Sequence, residues 1–201
     1  MPSRSINPAG PRNAASASPE CKIIGEECKI IGEDICLTIA EVLLQDFDSE
    51  ISNTRRTLER IPEDKPDYKS HEKSMPLGRL AMHCATLPLF GLYILEDDSM
   101  DLSAPKRPWP DLTFKSRAIC LEQLDQSAAQ CRASLAQATD DQLCARWRFS
   151  FGENVISDES RSRIFRSMFF NHMVHHVAQL GVYLRLNGIP VPALYGPSAD
   201  E

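Results

Sequence analysis

The sequence predicts an all-α protein, a four-helix bundle with one long internal connection. Three observations carry that prediction. Four long stretches repeat apolar residues at helical spacing. Each ends in a proline, a glycine or a polar break, the signals that stop helices. Among the internal connections, the acidic and proline-rich stretch from Glu96 to Asp111 is the long one.

The chain has 201 residues, 42% of them hydrophobic and 25% charged, the profile of a single globular domain. A formal net charge of -6 argues against a general nucleic-acid footprint, so no nucleic-acid partner is expected. No apolar run approaches the roughly 20 residues of a membrane span. The seven cysteines form no CxxC pattern and follow no secretory segment. They therefore read as reduced thiols in a cytoplasmic protein.

Residues 1–36 read as a disordered or irregular N-terminal extension, with residues 37–201 as the domain. The first part is rich in Pro, Ser, Ala and Asn. Its arginines and late first acid resemble a transit peptide in composition, but its early prolines oppose the amphipathic helix such a peptide needs. A duplication, CKIIGEE (21–27) then CKIIGED (28–34), is too short for a repeat architecture.

The first helix begins after Leu37, with Thr38 and Glu41 spaced as a capping box. Its apolar stripe runs through Ile39, Val42, Leu43, Phe47 and Ile51 to Leu58, and Ile61-Pro62 ends it. Residues 63–73 are polar and proline-broken, hence a loop. The second helix starts near Ser74-Met75-Pro76 and follows Leu80, His83, Leu87, Phe90 and Ile94, with Pro88 as a kink. Thr113 is the expected cap of a third helix reaching about Ala138. A single turn capped by Thr139 and a small hairpin over Trp147–Ile156, around Gly152, are expected next. The fourth helix is expected to open after Ser157 and to close at Asn187-Gly188, with Pro190 beyond. The tail 191–201 lies outside the helices.

The fourth helix carries the chemistry. His172 and His176 stand four residues apart, so both imidazoles share one helix face, one turn apart. Steps of about 100° place Phe165, Met168, His172, His176, Gln179 and Tyr183 in one stripe, with His175 on its flank. Two neighbouring inward imidazoles are poor core material unless their nitrogens find partners. A shared cation supplies one, and His83, on the apolar stripe of the second helix, is the candidate third ligand. The alternative is that hydrogen bonds to Gln179, Tyr183 or Glu59 satisfy these rings. Met173 follows the first histidine, so the glutamate of a metalloprotease HExxH motif is absent. Cys84 beside His83 is a weak nucleophile candidate, since adjacent helical residues point apart.

Four segments, LLQDFDSEISNTRRTLERIPEDK (43–65), KSMPLGRLAMH (73–83), NHMVHHVAQLGVYLRLNGIPVP (171–192) and YGPSADE (195–201), resemble the DinB-like family. The resemblance implies a bundle of the DinB-like type, a homodimer, and a three-histidine site for a divalent metal ion such as zinc or nickel. The family's ligands map to His83, His172 and His176. Many relatives read HHRGQL where this chain has His175-His176-Val177-Ala178-Gln179-Leu180, so an arginine beside the metal is missing here.

The functional expectation is a metal-dependent transferase or hydrolase, with a low-molecular-weight thiol or another small molecule as substrate. Its rival is a non-enzymatic, metal-stabilised stress-response or binding module. An open fourth coordination position facing a cleft separates the first from the second.

Overall fold

The structure is a computed structural model, and it describes residues 37–201. The predicted disorder of the extension and the duplicated heptapeptide lie outside the described residues.

Four long helical segments build the core. The first, α1 (Ile39–Leu58), opens with the expected capping box: the Thr38 hydroxyl accepts from the Glu41 N–H, and the Glu41 carboxylate accepts from the Thr38 N–H. The second, α2 (Leu77–Glu96), contains Pro88 in its interior and buries most of its surface. It is the one helix among the described residues long and apolar enough to cross a membrane, yet 78% of that apolar window is covered by the rest of the protein. The third, α3 (Arg117–Gln137), packs against both α1 and α2. The last segment is continuous from Arg161 to Leu186: α5 (Arg161–Ile164), a π-helical stretch (Phe165–Phe170) and α6 (Asn171–Leu186). Because α6 also touches α1 and α2, the four segments close around one core.

The π-helical stretch has a packing cause. Phe165, Phe169 and Phe170 are all buried. A wider turn brings the i,i+5 pair Phe165–Phe170 to a ring separation of 5.1 Å, while Phe169 meets Phe47 of α1 at 6.0 Å. Opposite this cluster α2 carries Gly91. A Cβ built there would lie 2.9 Å from the Cys131 Sγ and 3.1 Å from the Phe169 ring, so α2, α3 and the aromatic cluster meet only because that position has no side chain.

The all-α expectation needs correction, because the helices carry a three-stranded mixed sheet, β1-β2-β3. In the connection after α2, β1 (Ser99–Asp101) runs parallel to β2 (Arg146–Phe151). The predicted hairpin then pairs β2 with β3 (Asn154–Ser160) through Gly152, whose φ of 59° is left-handed. β2 alternates as a half-buried strand must: Trp147 and Phe149 face inward, Arg146 and Arg148 outward. A short helix, α4 (Asp140–Cys144), precedes it with Thr139 as its cap, as predicted.

Two helix boundaries also move. Ser116, not Thr113, caps α3, because its hydroxyl accepts from the Ile119 N–H. The last helical segment starts at Arg161 and not after Ser157, since residues up to Ser160 pair with β2 and Ser160 itself caps α5. The Arg161 guanidinium reaches back to the carbonyls of Ile94 and Asp97 at the end of α2, where the Trp147 indole N–H also donates to Asp97. These bonds lock the sheet to the helices.

Candidate metal centre

The central third of α2 and the first half of α6 run past each other, and the three histidines meet between them. The ligand atoms of His83, His172 and His176 all lie within 4.8 Å of one another. The Nε2 atoms of His83 and His172 stand 3.4 Å apart. Tetrahedral zinc with Zn–N bonds of about 2.0–2.1 Å separates two ligand nitrogens by about 3.4 Å. The donor set thus fits a divalent cation of that size.

On two of the three rings the nitrogen that would face away from a cation has a partner. The Gln179 side-chain oxygen lies 2.7 Å from His176 Nδ1, which leaves Nε2 free for the centre. A backbone hydrogen bond with Met168 engages His172. Of the neighbours that hydrogen-bonding alone would have required, only Gln179 is used. Tyr183 is buried and donates to the Met75 carbonyl at 2.8 Å, and Glu59 faces Arg55 at 3.9 Å.

Burial is the main reason that His83 is held down, from 6.5 to about 4, followed by the positive charge His176 and His172 would carry and by Arg79. Burial also lowers His172 and His176, against the opposing hydrogen bonds from Met168 and Gln179. All three imidazoles are therefore neutral near pH 7, the form that ligates metals. Cys84 is fully buried, and burial pushes its thiol far up, which leaves it an inert core side chain.

The α6 stripe is not where its histidines place it in the sequence. The buried residues are Met173, Val177, Leu180 and Leu184, joined from the histidine stripe only by Tyr183 at its far end. The histidine stripe lies about 100° around the helix from that aliphatic face, half-buried, at the seam with α2. His175 is exposed, with its ring 5.0 Å from that of His176, and stays outside the cluster.

From that seam a cleft of about 950 Å³ opens, and both His83 and His172 line it. Phe90 of α2, Phe149 of β2, Met168 of the π-helical stretch and Trp109 of the proline-rich connection supply mostly apolar walls. Gly78 lets that connection lie down on α2: a Cβ there would be 2.7 Å from the Phe114 Cβ. Among the described residues, no carboxylate or thiol joins the three imidazoles. Sequence reasoning missed the cleft and its aromatic wall. The alternation of Trp147 and Phe149 was the available signal for β2, but nothing local showed that Phe149 would line one cleft with His83.

Comparisons with known proteins agree on one family. The model of the DinB family matches residues 37–201. The uncharacterized protein YrdA of Bacillus subtilis (strain 168) is 25% identical over 158 residues, covering 79% of this chain and 89% of that protein. Among solved structures, the DinB-like protein YjoA of Bacillus subtilis superposes with a TM-score of 0.59 at 23% identity, covering 78% of this chain and 99% of that one. A DinB-like protein of Bacillus cereus ATCC 10987 gives a TM-score of 0.55 at 21% identity, over 76% and 95%. At these identities the two structures support the fold alone.

Proposed function

Because this chain belongs to the DinB family, we propose that it binds one divalent cation through His83, His172 and His176 and acts on a small molecule at that cation. The observation that carries this reading is the cleft of about 950 Å³ that opens directly onto His83 and His172. Three neutral imidazoles with no fourth protein ligand among the described residues are the donor set of a reactive site, whereas structural sites are closed by four. The 3.4 Å nitrogen separation favours zinc, and nickel is the alternative.

A cation held there supplies one thing, a lowered pKa for a thiol or water that enters the cleft. The chain's own residues do the rest. Gln179 fixes the His176 ring, Met168 holds His172, and the aromatic walls give the reacting group a mostly apolar approach. No carboxylate joins the three imidazoles among the described residues, so none is placed in the triad itself as a general base. That favours transfer to or from a thiol substrate, which brings its own acidic nucleophile, over hydrolysis. The rival reading, a purely structural cation, requires a protein fourth ligand, and His175, exposed and outside the cluster, does not provide one.

The test is elemental analysis of tag-free wild type and His172→Ala, followed by cobalt substitution. Stoichiometric metal in the wild type, its loss in the variant, and a visible spectrum that changes when a low-molecular-weight thiol is added are expected. A wild type without metal sinks the metal reading. A cobalt spectrum indifferent to thiols sinks the open position and returns the site to a structural role.

A further inference from the structure

Arg79 stands one helical turn before His83 on α2, on the same face, and lines the same cleft. Apart from Arg148, every other arginine among the described residues holds a carboxylate or a backbone carbonyl. Arg79 holds neither. Asp67 and Asp111 also line the cleft, yet neither pairs with Arg79, and Asp111 already accepts from the Thr113 N–H at 2.9 Å. Arg79 is exposed, and its guanidinium, with five N–H donors, lines the aromatic cleft with no protein acceptor.

The same cleft is walled by Phe90, Phe149 and Trp109, the last 53% exposed. An exposed indole and an unpaired guanidinium lining one cleft suit a ligand with a flat apolar body and an anionic end. Four residues separate Arg79 from His83, about 6 Å along the axis. An anion on Arg79 and a metal-seeking atom at the histidines therefore belong to one small molecule.

We propose that the cleft takes a small aromatic or similarly bulky thiol that carries a carboxylate at its far end. The carboxylate pairs with the forked guanidinium of Arg79, the body lies against Phe90, Phe149 and Trp109, and the thiol faces His83 and His172. Only the thiol end rests on the metal reading of the triad. The carboxylate end rests on Arg79 alone. In this chain the anion contact comes from α2, one turn before the first histidine, and not from the position of Val177 beside the second pair.

The test uses the full chain loaded with zinc and the fluorescence of Trp109. Of the two tryptophans, Trp147 is fully buried, so quenching on binding in the cleft reports Trp109. The probes are 4-(mercaptomethyl)benzoate and its neutral amide, with 4-ethylbenzoate and its amide as a thiol-free pair. Wild type should bind each acid about tenfold more tightly than its amide, the scale of one charge-assisted contact. Arg79→Gln should erase that preference without changing amide affinity or zinc content, and Arg79→Lys should restore part of it. Equal binding of acid and amide by the wild type overturns the proposal, as does a preference that survives Arg79→Gln. The thiol-free pair separates this outcome from the metal reading. A protein that holds no zinc but prefers ethylbenzoate through Arg79 keeps the carboxylate subsite and loses the metal, and a zinc-loaded protein without the preference does the reverse.

Discussion

Acidifying the metal-free protein should destabilise it more than loss of its surface ion pairs explains, and His83, whose shift is the largest of the three imidazoles, should account for the largest share of the excess. In the folded chain burial and the neighbouring imidazoles hold His83 at about 4, against 6.5 in the unfolded chain. Between those values the unfolded chain takes up a proton that the folded chain refuses. The contribution of neutral His83 is therefore complete above 6.5, shrinks as the pH falls below it, and levels off near 4. Each pH unit of that gap is worth about 1.4 kcal/mol, which sets a ceiling of about 3 kcal/mol. His83 is only half-buried and faces an open cleft, so solvent screening brings the expected loss to about 1–2 kcal/mol. The assay is urea denaturation of chelator-treated wild type and His83→Gln at several pH values from neutrality down to about 4. Wild type should lose that much more than the variant, which has no imidazole at this position. Parallel curves for the two proteins would refute the claim that the site forces His83 to stay neutral.

Two further outcomes follow from the same geometry. Gln179→Leu removes the oxygen that lies 2.7 Å from His176 Nδ1 and frees the ring to rotate. Zinc affinity, measured by competition with a chromophoric chelator, should fall about 10–100-fold with the helical circular dichroism unchanged, and an unaltered affinity would remove Gln179 from the site. Gly91→Ala places a methyl 2.9 Å from the Cys131 Sγ and 3.1 Å from Phe169. It should cost about 1–3 kcal/mol in chemical denaturation despite the better helix propensity of alanine, and a neutral or stabilising result would show that the α2–α3 contact yields.

Much of the helical framework was legible because its signals are local. Thr38 with Glu41, the turn at Thr139, and Asn187-Gly188 before Pro190 each satisfy orphan backbone groups within a few residues of themselves. The start of the last helical segment was misplaced for a non-local reason. Asp158 and Glu159 suit a helix N-terminus by charge, but their backbone is taken by β2. Likewise Ser99–Asp101 has no strand signature of its own and becomes β1 only because Met100 finds Phe149 beside it.

The candidate site divides the same way. The i,i+4 spacing of His172 and His176 puts both rings on one helix face, and the apolar rhythm around His83 places it on the apolar stripe of its helix. Those facts belong to the sequence. The histidine stripe was the expected inward face of α6, yet Met173, Val177, Leu180 and Leu184 form the face that turns to the core. Packing against α1 and α2 gave the aliphatic stripe to the core, because burying methylenes gains free energy while burying imidazoles costs it. That choice set the histidines at the seam, at the inner end of a cleft whose walls come from β2, the proline-rich connection and the π-helical stretch. The sequence by itself determined the three ligand candidates. Only the tertiary structure decided that they converge beside an open cleft with Arg79 unpaired at its rim, because that convergence depends on contacts between segments far apart in the chain.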